Sequence, residues 1–226
     1  VKISALIPFR SQDPQRIKLW NYLRPQWEAL APDVELCTTT DTDDPSQTFS
    51  IARGMNRCRA MATGDILLVH GADQLLPTPE VWDRIRTTMS VAPWMWVYSQ
   101  WMAVQPWSTR IIVESGGDPA HLVLGPTFDH NWAIVAVRPD VWDAIGGFDE
   151  RFVGWGPEDV AFRTVLRTMY PEGSDVGEGV MYALWHPQAP RDHFQRNTEL
   201  CQEIVEVAKR GRDAMGEYLA NREVRA

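Results

Sequence analysis

Apolar residues along the first 90 positions switch between a strand-like run and a helical period, and each switch marks an element. Ile3, Ala5, Leu6 and Ile7 make residues 2–8 a nearly continuous apolar run ended by Pro8, the pattern of a strand buried on both faces. Asp13-Pro14 then reads as a helix cap followed by proline at the first helical position. Ile17, Leu19, Trp20 and Leu23 supply the apolar face of that helix, and Pro25 predicts its kink or end. Residues 34–39 predict a second strand, 40–47 a polar loop, and 49–62 a helix with Ile51, Met55 and Cys58 inward. Residues 66–69 are wholly apolar, as a central parallel strand is. A helix capped by Thr78 follows from 79 to about 90. The order β-α-β-α-β-α predicts a doubly wound, mostly parallel sheet with helices on both faces. Ligands on such sheets bind beyond the carboxyl ends of the strands. The residues just after each strand are therefore the ones to weigh.

The second half is less regular. Residues 94–104 and 110–114 read as strands, with a hairpin as one arrangement, and 132–137 as another strand. A short helix over 139–145 is stopped by Gly146-Gly147. Helix 157–169, strand 180–184 and a helical region over 192–219, broken near Gly211, complete the pattern. No repeat, linker or low-complexity tract interrupts it. The expectation is a single α/β domain over 1–226, as 226 residues can build one sizeable core.

Composition narrows the function. The formal net charge is −8 and no basic stripe occurs, so nucleic acid is excluded as a partner. The three cysteines, Cys37, Cys58 and Cys201, have neither paired nor metal-like spacing, which fits a reducing compartment. No apolar run reaches the ~20 residues a membrane span requires. A cytoplasmic protein with no transmembrane segment is the expectation. Trp is abundant. Most copies suit a core, although Trp94, Trp96, Trp101 and Trp107 also suit an acceptor groove, because sugar rings stack on indoles.

The chemistry concentrates in two adjoining segments, Gly146-Gly147-Phe148-Asp149-Glu150-Arg151-Phe152 and Gly154-Trp155-Gly156-Pro157-Glu158-Asp159. Gly156 reads as a helix cap, with Pro157 at the first helical position and two carboxylates behind it. The positive end of the helix dipole favours their ionised forms. Neighbouring helical side chains point about 100° apart, so one carboxylate can face a pocket while the other binds a neighbour.

These segments resemble the GGFDE and WGGED signatures of GT-A glycosyltransferases of the family 2 type. Within that group the chain is similar to the β-1,4-galactosyltransferases and the polypeptide N-acetylgalactosaminyltransferases. The likeness runs over residues 3–10, 49–76 and 133–187, including Ile7-Pro8-Phe9-Arg10. It implies a GT-A three-layer α/β/α fold, with 1–76 as the nucleotide-binding half and 77–226 as the acceptor and catalytic half. The implied reaction is transfer of a hexose from a nucleotide-sugar donor, UDP-linked first, to a hydroxyl of a glycan, a protein or a lipid-linked acceptor. Asp159 is implied as the base and Glu158 as its acceptor-binding partner, with the two roles exchangeable. Trp155 is implied at the border of the donor and acceptor sugars, or as a core residue of its loop. Asp149 is implied near the acceptor or donor sugar or, equally, as turn chemistry.

The resemblance also implies a divalent cation on the donor diphosphate, with Mn²⁺ preferred to Mg²⁺ for a mixed oxygen and imidazole site. Its ligands are implied as Asp73, in Gly71-Ala72-Asp73 after the third strand, and His186, in Trp185-His186-Pro187. Gly71 stands where the family carries the first aspartate of Asp-x-Asp. Donor contacts are implied for Pro8, Phe9, Arg10, Asp41, Arg53, Asn56 and Asp73. Asp41 equally suits turn chemistry, and Arg53 and Asn56 equally suit exposed helix positions. Inversion is favoured by the acidic pair, with retention open. Two rivals stand beside this reading. A sugar-phosphate nucleotidyltransferase would carry a Gly-rich loop after the first strand, where Arg10-Ser11-Gln12-Asp13 stands. A catalytically inactive sugar- or nucleotide-binding module is the alternative that the missing first aspartate sustains.

Overall fold

The computed structural model describes residues 1–116, 124–129, 134–174 and 177–223. Strands β1 (Ile3–Leu6), β2 (Val34–Cys37), β3 (Ile66–Val69), β4 (Trp94–Trp96) and β7 (Val135–Val137) form one sheet in the order β2-β1-β3-β7-β4. β1 pairs in parallel with β2 and β3, whereas β7 runs antiparallel to both β3 and β4. The sheet is thus mostly parallel, with one reversed strand. A smaller sheet, β6-β5-β8, joins β5 (Gln100–Val104), β6 (Leu124–Asp129) and β8 (Val180–Ala183).

Alternation along the strands sorts side chains into two cores. Ile3, Ala5, Ile66 and Leu68 pack with helices α1 (Pro14–Glu28) and α3 (Pro79–Met89). Leu6, Leu67, Val69 and Val135 pack with α2 (Ile51–Met61), α5 (Pro139–Ala144), α6 (Glu158–Met169), α7 (Phe194–Ala208) and α8 (Arg212–Glu223). Strand side chains point to opposite faces in turn, so one apolar run feeds both layers of an α/β/α sandwich. The expected fold class is therefore present.

Several local expectations change. α1 continues through Pro25 to Glu28, because Trp27 in its last turn is fully buried and holds that turn against the sheet. Residues 110–114 are helical, within α4 (Pro106–Ser115), and not a strand. The run Ile111-Ile112-Val113 resembles a strand locally. Pro106 at the helix start, together with a buried face of Ser108, Thr109 and Ile112, sets the helical period instead. The hairpin of 94–104 with 110–114 is therefore absent, and 94–104 is itself two strands, β4 and β5, in different sheets. Trp94 and Trp96 are core residues, Trp101 is half-buried and Trp107 exposed, so the four make no common groove. The expected strand over 132–137 is described only as β7, and Trp132 and Ala133 lie outside the described residues.

Gly54 sets how closely α2 approaches β1. A Cβ there would lie 2.5 Å from the Pro8 Cβ, closer than carbon atoms pack. Gly54→Ala is expected to push α2 away from Pro8 and to destabilise the protein by about 1–3 kcal/mol, as overpacking does. Urea unfolding, with the midpoint falling at constant m-value, checks this.

Candidate functional site

A cleft of about 400 Å³ opens beyond the carboxyl ends of β1 and β3. Pro8, Phe9 and Arg10 form one wall, Gly71, Ala72 and Asp73 the floor, and Pro187 to Pro190 the opposite side. This is where a parallel sheet places a ligand. Phe9 is held by stacking on Trp20 of α1, with ring centroids 5.4 Å apart.

Two distant parts of the chain meet at the floor. The Leu184 N–H donates to the Asp73 carbonyl at 2.8 Å, and the Leu75 N–H donates to the Tyr182 carbonyl at 3.0 Å. These bonds tie the turn after β3 to the end of β8. They bring His186 Nε2 to 3.1 Å from Asp73 Oδ2. His186 Nδ1 lies 2.8 Å from the Pro187 carbonyl. Burial alone would lower the His186 pKa, but the Asp73 hydrogen bond and charge raise it overall. Burial likewise works to raise Asp73, and the His186 contact holds it below its ordinary value. Both side chains stay partly open to solvent, 20% for His186 and 29% for Asp73. The Gly71 N–H is taken by Gln74 Oε1 at 2.7 Å. Gln74 thus fills the place beside Gly71, and the floor has one carboxylate.

Among the described residues no cluster of three or more His, Cys, Asp or Glu side chains gathers. The Asp73–His186 pair nonetheless fits a divalent cation as two donors of a shared site. One oxygen and one imidazole nitrogen suit Mn²⁺; Asp73 lines the cleft, and His186 beside it keeps part of its side chain open to solvent. Such a pair leaves coordination positions for phosphate oxygens and water.

Asp41 is a hub. Its carboxylate is fully buried and accepts Arg10 Nε at 2.7 Å, Arg10 Nη2 at 3.2 Å and the Ser50 N–H at 2.8 Å. Arg53 Nη2 approaches it at 3.5 Å. Asp41 therefore orders Arg10 and the start of α2, and its own oxygens are occupied. Arg53 also donates to Gln47 Oε1 and to the Thr48 carbonyl, both at 3.2 Å. Asn56 turns away from the cleft. It exchanges bonds with the Phe148 N–H and carbonyl and donates to Glu150 Oε1. Of the residues expected at the donor, Pro8, Phe9, Arg10 and Asp73 line the cleft; Asp41, Arg53, Asn56 and Trp155 do not.

Glu158 and Asp159 open α6, with Pro157 as the capping residue. The dipole argument predicts ionised carboxylates here. The pKa values move the other way, because burial outweighs the dipole. Burial first and the Asp159 charge second push Glu158 well above its ordinary value. Burial also raises Asp159, while the Val160 N–H and the Arg163 charge pull it back. Glu158 Oε2 is buried, with no hydrogen-bond partner among the described residues. The pair does not line the cleft itself. The loop before it is tied to the cleft's edge: the Ser50 hydroxyl donates to the Phe152 carbonyl, and the Gly154 N–H donates to the carbonyl of Phe49, which lines the cleft. Trp155 is 42% exposed, with the Arg191 guanidinium 4.3 Å over its ring and Phe194 5.1 Å away. Asp149 is buried and points elsewhere. It pairs with Arg151 at 2.7 Å and lies 3.9 Å from Arg222 of α8.

Asn197 escaped the sequence reading. Fully buried on α7, its amide donates to the carbonyls of Val153 at 2.8 Å and Trp155 at 3.1 Å. Gly156 packs so closely on it that a Cβ would stand 2.6 Å away. A signal was present: Asn197 shares a helical face with Cys201 and Ile204, and a polar residue on an apolar face needs a partner. Asn197→Ala is expected to cost about 1–3 kcal/mol by leaving those carbonyls unpaired, and to loosen the loop that carries Trp155. Thermal unfolding reads the first effect, and hydrogen exchange at residues 153–156 the second.

No protein-family model and no curated protein sequence matches this chain. Solved structures do. A Drosophila β1,4-galactosyltransferase 7 catalytic domain, in complex with xylobiose, matches at 17% identity and a TM-score of 0.42, over 92% of this chain and 79% of that one. A Pyrobaculum calidifontis mannosyltransferase, in complex with GDP-Man and Mn²⁺, matches at 14% identity and a TM-score of 0.47, over 86% and 59%. A Mycobacterium tuberculosis glucosyl-3-phosphoglycerate synthase, in complex with Mn²⁺, UDP-Glc and phosphoglyceric acid, matches at 11% identity and a TM-score of 0.48, over 92% and 79%. This chain spans less than two thirds of the mannosyltransferase chain. These three proteins are GT-A glycosyltransferases, similar to this chain in structure at 11–17% identity.

Proposed function

We propose that this protein is a GT-A glycosyltransferase that moves a hexose from a nucleotide-sugar donor, UDP-linked first, to an acceptor hydroxyl with inversion. The observation that carries the reading is the meeting of Asp73 and His186, 113 residues apart in sequence, on the floor of a cleft at the carboxyl ends of β1 and β3. A divalent cation, Mn²⁺ before Mg²⁺, would be held by this pair and would act as a Lewis acid on the diphosphate leaving group. Pro8, Phe9 and Arg10 receive the nucleotide, with Arg10 fixed by Asp41. Asp159 takes the proton of the acceptor hydroxyl, and Glu158, whose carboxyl burial pushes towards the protonated form, binds the acceptor. Trp155, between Arg191 and the solvent, offers an indole face to a sugar. Residues 1–76 serve as the nucleotide half and 77–226 as the acceptor half of a single transferase unit. A glycan, a protein or a lipid-linked glycan would each present the required hydroxyl. Among the described residues no helix is long and apolar enough to cross a membrane.

Incubation with UDP-, GDP- and dTDP-hexoses, Mn²⁺ and a saccharide panel tests the reading. Release of nucleoside diphosphate from one donor series, with a β-linked product from an α-linked donor by NMR, is the expected result. An α-linked product would remove Asp159 from the role of base. Donor binding without any release would favour an inactive binding module.

A further inference from the structure

Of the arginines around the cleft, Arg16 stands apart. Arg10 is fixed by Asp41 and by the carbonyls of Pro45 and Gln47. Arg16 also lines the cleft and is half-buried, yet its one contact there is a long 3.4 Å bond to the Pro187 carbonyl. Among the described residues no carboxylate lies within ion-pair distance of it. It lines the same cleft as Asp73, and its bond to the Pro187 carbonyl sets it beside the residue that follows His186.

Local helix chemistry gives no reason for a cation here. Arg16 sits in the first turn of α1, after Asp13 as cap and Pro14, where the helix dipole disfavours positive charge. A half-buried guanidinium with little to bind, set against the dipole and facing a cleft, is arranged for an anion. Its planar fork of donors matches phosphate oxygens. The charges also balance. The Asp73 carboxylate cancels half of a divalent cation's charge, and a bound diphosphate then leaves one negative charge for a neighbouring cation to meet.

We propose that Arg16 is a phosphate-binding residue of this cleft, contacting the diphosphate of the donor. The proposal rests on the nucleotide-sugar reading, and inorganic pyrophosphate as an additional probe separates the two. Calorimetric titrations of wild type, Arg16→Ala and Arg16→Lys would use uridine, UDP, guanosine, GDP and pyrophosphate, each with and without Mn²⁺. Arg16→Ala is expected to weaken the preferred nucleoside diphosphate by about 10- to 100-fold, as loss of a charged hydrogen bond does. It should leave the matching nucleoside and the melting temperature unchanged. Arg16→Lys should recover part of the loss, since it keeps the charge without the fork. Equal losses for nucleoside and diphosphate, or no loss for either, would overturn the proposal. Pyrophosphate binding that depends on Arg16, in a protein that binds no nucleotide, would keep the anion site and remove the nucleotide reading. Absence of binding by every probe would remove both.

Discussion

Asp159→Asn is expected to lower glycosyl transfer by about 10²- to 10⁴-fold, the usual contribution of a positioned general base. Donor binding should stay within about twofold, because Asp159 lies outside the cleft proposed for the nucleotide. Its neighbour should behave differently in stability. Glu158 has a raised pKa in the folded protein, so the folded state holds its proton at pH values where the unfolded chain has released it. Stability from this group is therefore greatest at low pH. It falls as pH rises from the ordinary glutamate range through the folded value. Glu158→Gln removes that loss and should flatten this part of the stability profile. At neutral pH it should add on the order of 1 kcal/mol, or about 2–4 °C in melting temperature for a chain of this size. A stability gain on removal of a buried carboxyl is the pattern of a group kept for function at a cost in stability. Chemical unfolding across pH 4–9, beside initial rates, reads both effects. An unchanged rate in Asp159→Asn would take the base away from this residue.

Loss of either floor residue should be nearly as severe for binding. Asp73→Asn and His186→Ala are each expected to weaken Mn²⁺-dependent nucleotide affinity by at least about 10- to 100-fold. Removal of a group that merely supports a metal ligand already costs that much. The two substitutions together should cost little more than one alone, since the pair acts as one site and energies of residues in contact do not add. Calorimetry with the preferred nucleoside diphosphate at saturating Mn²⁺ gives the three values. Independent, fully additive losses would mean that Asp73 and His186 serve different ligands.

Much of this was legible in the residues. Unbroken apolar runs at Ile3–Leu6 and Ile66–Val69 announced central strands, and the cleft lies where their carboxyl ends should place it. The contact of Asp73 with His186 was readable only through resemblance, because spacing along the chain says nothing about a meeting of residues so far apart. Other features depended on tertiary context. Residues 110–114 carry a strand-like apolar triplet, and burial of one helical face decided against it. Asp149 and Asn56 have the residue types of a binding site, but their partners, Arg151 and the 148–150 turn, come from folding. The acidic pair at the start of α6 shows the same limit. A helix dipole can be read from sequence, whereas the burial that reverses its effect cannot.

The most direct test is a thermal-stability titration of the protein with UDP-, GDP- and dTDP-sugars, in Mn²⁺ and then in chelator. A ligand that binds only the native state adds RT ln(1 + [L]/Kd), about 2.7 kcal/mol at a hundredfold excess over Kd. The account predicts stabilisation by one nucleotide series, lost on chelation and absent in Asp73→Asn. No stabilisation by any nucleotide sugar, with or without cation, would contradict it.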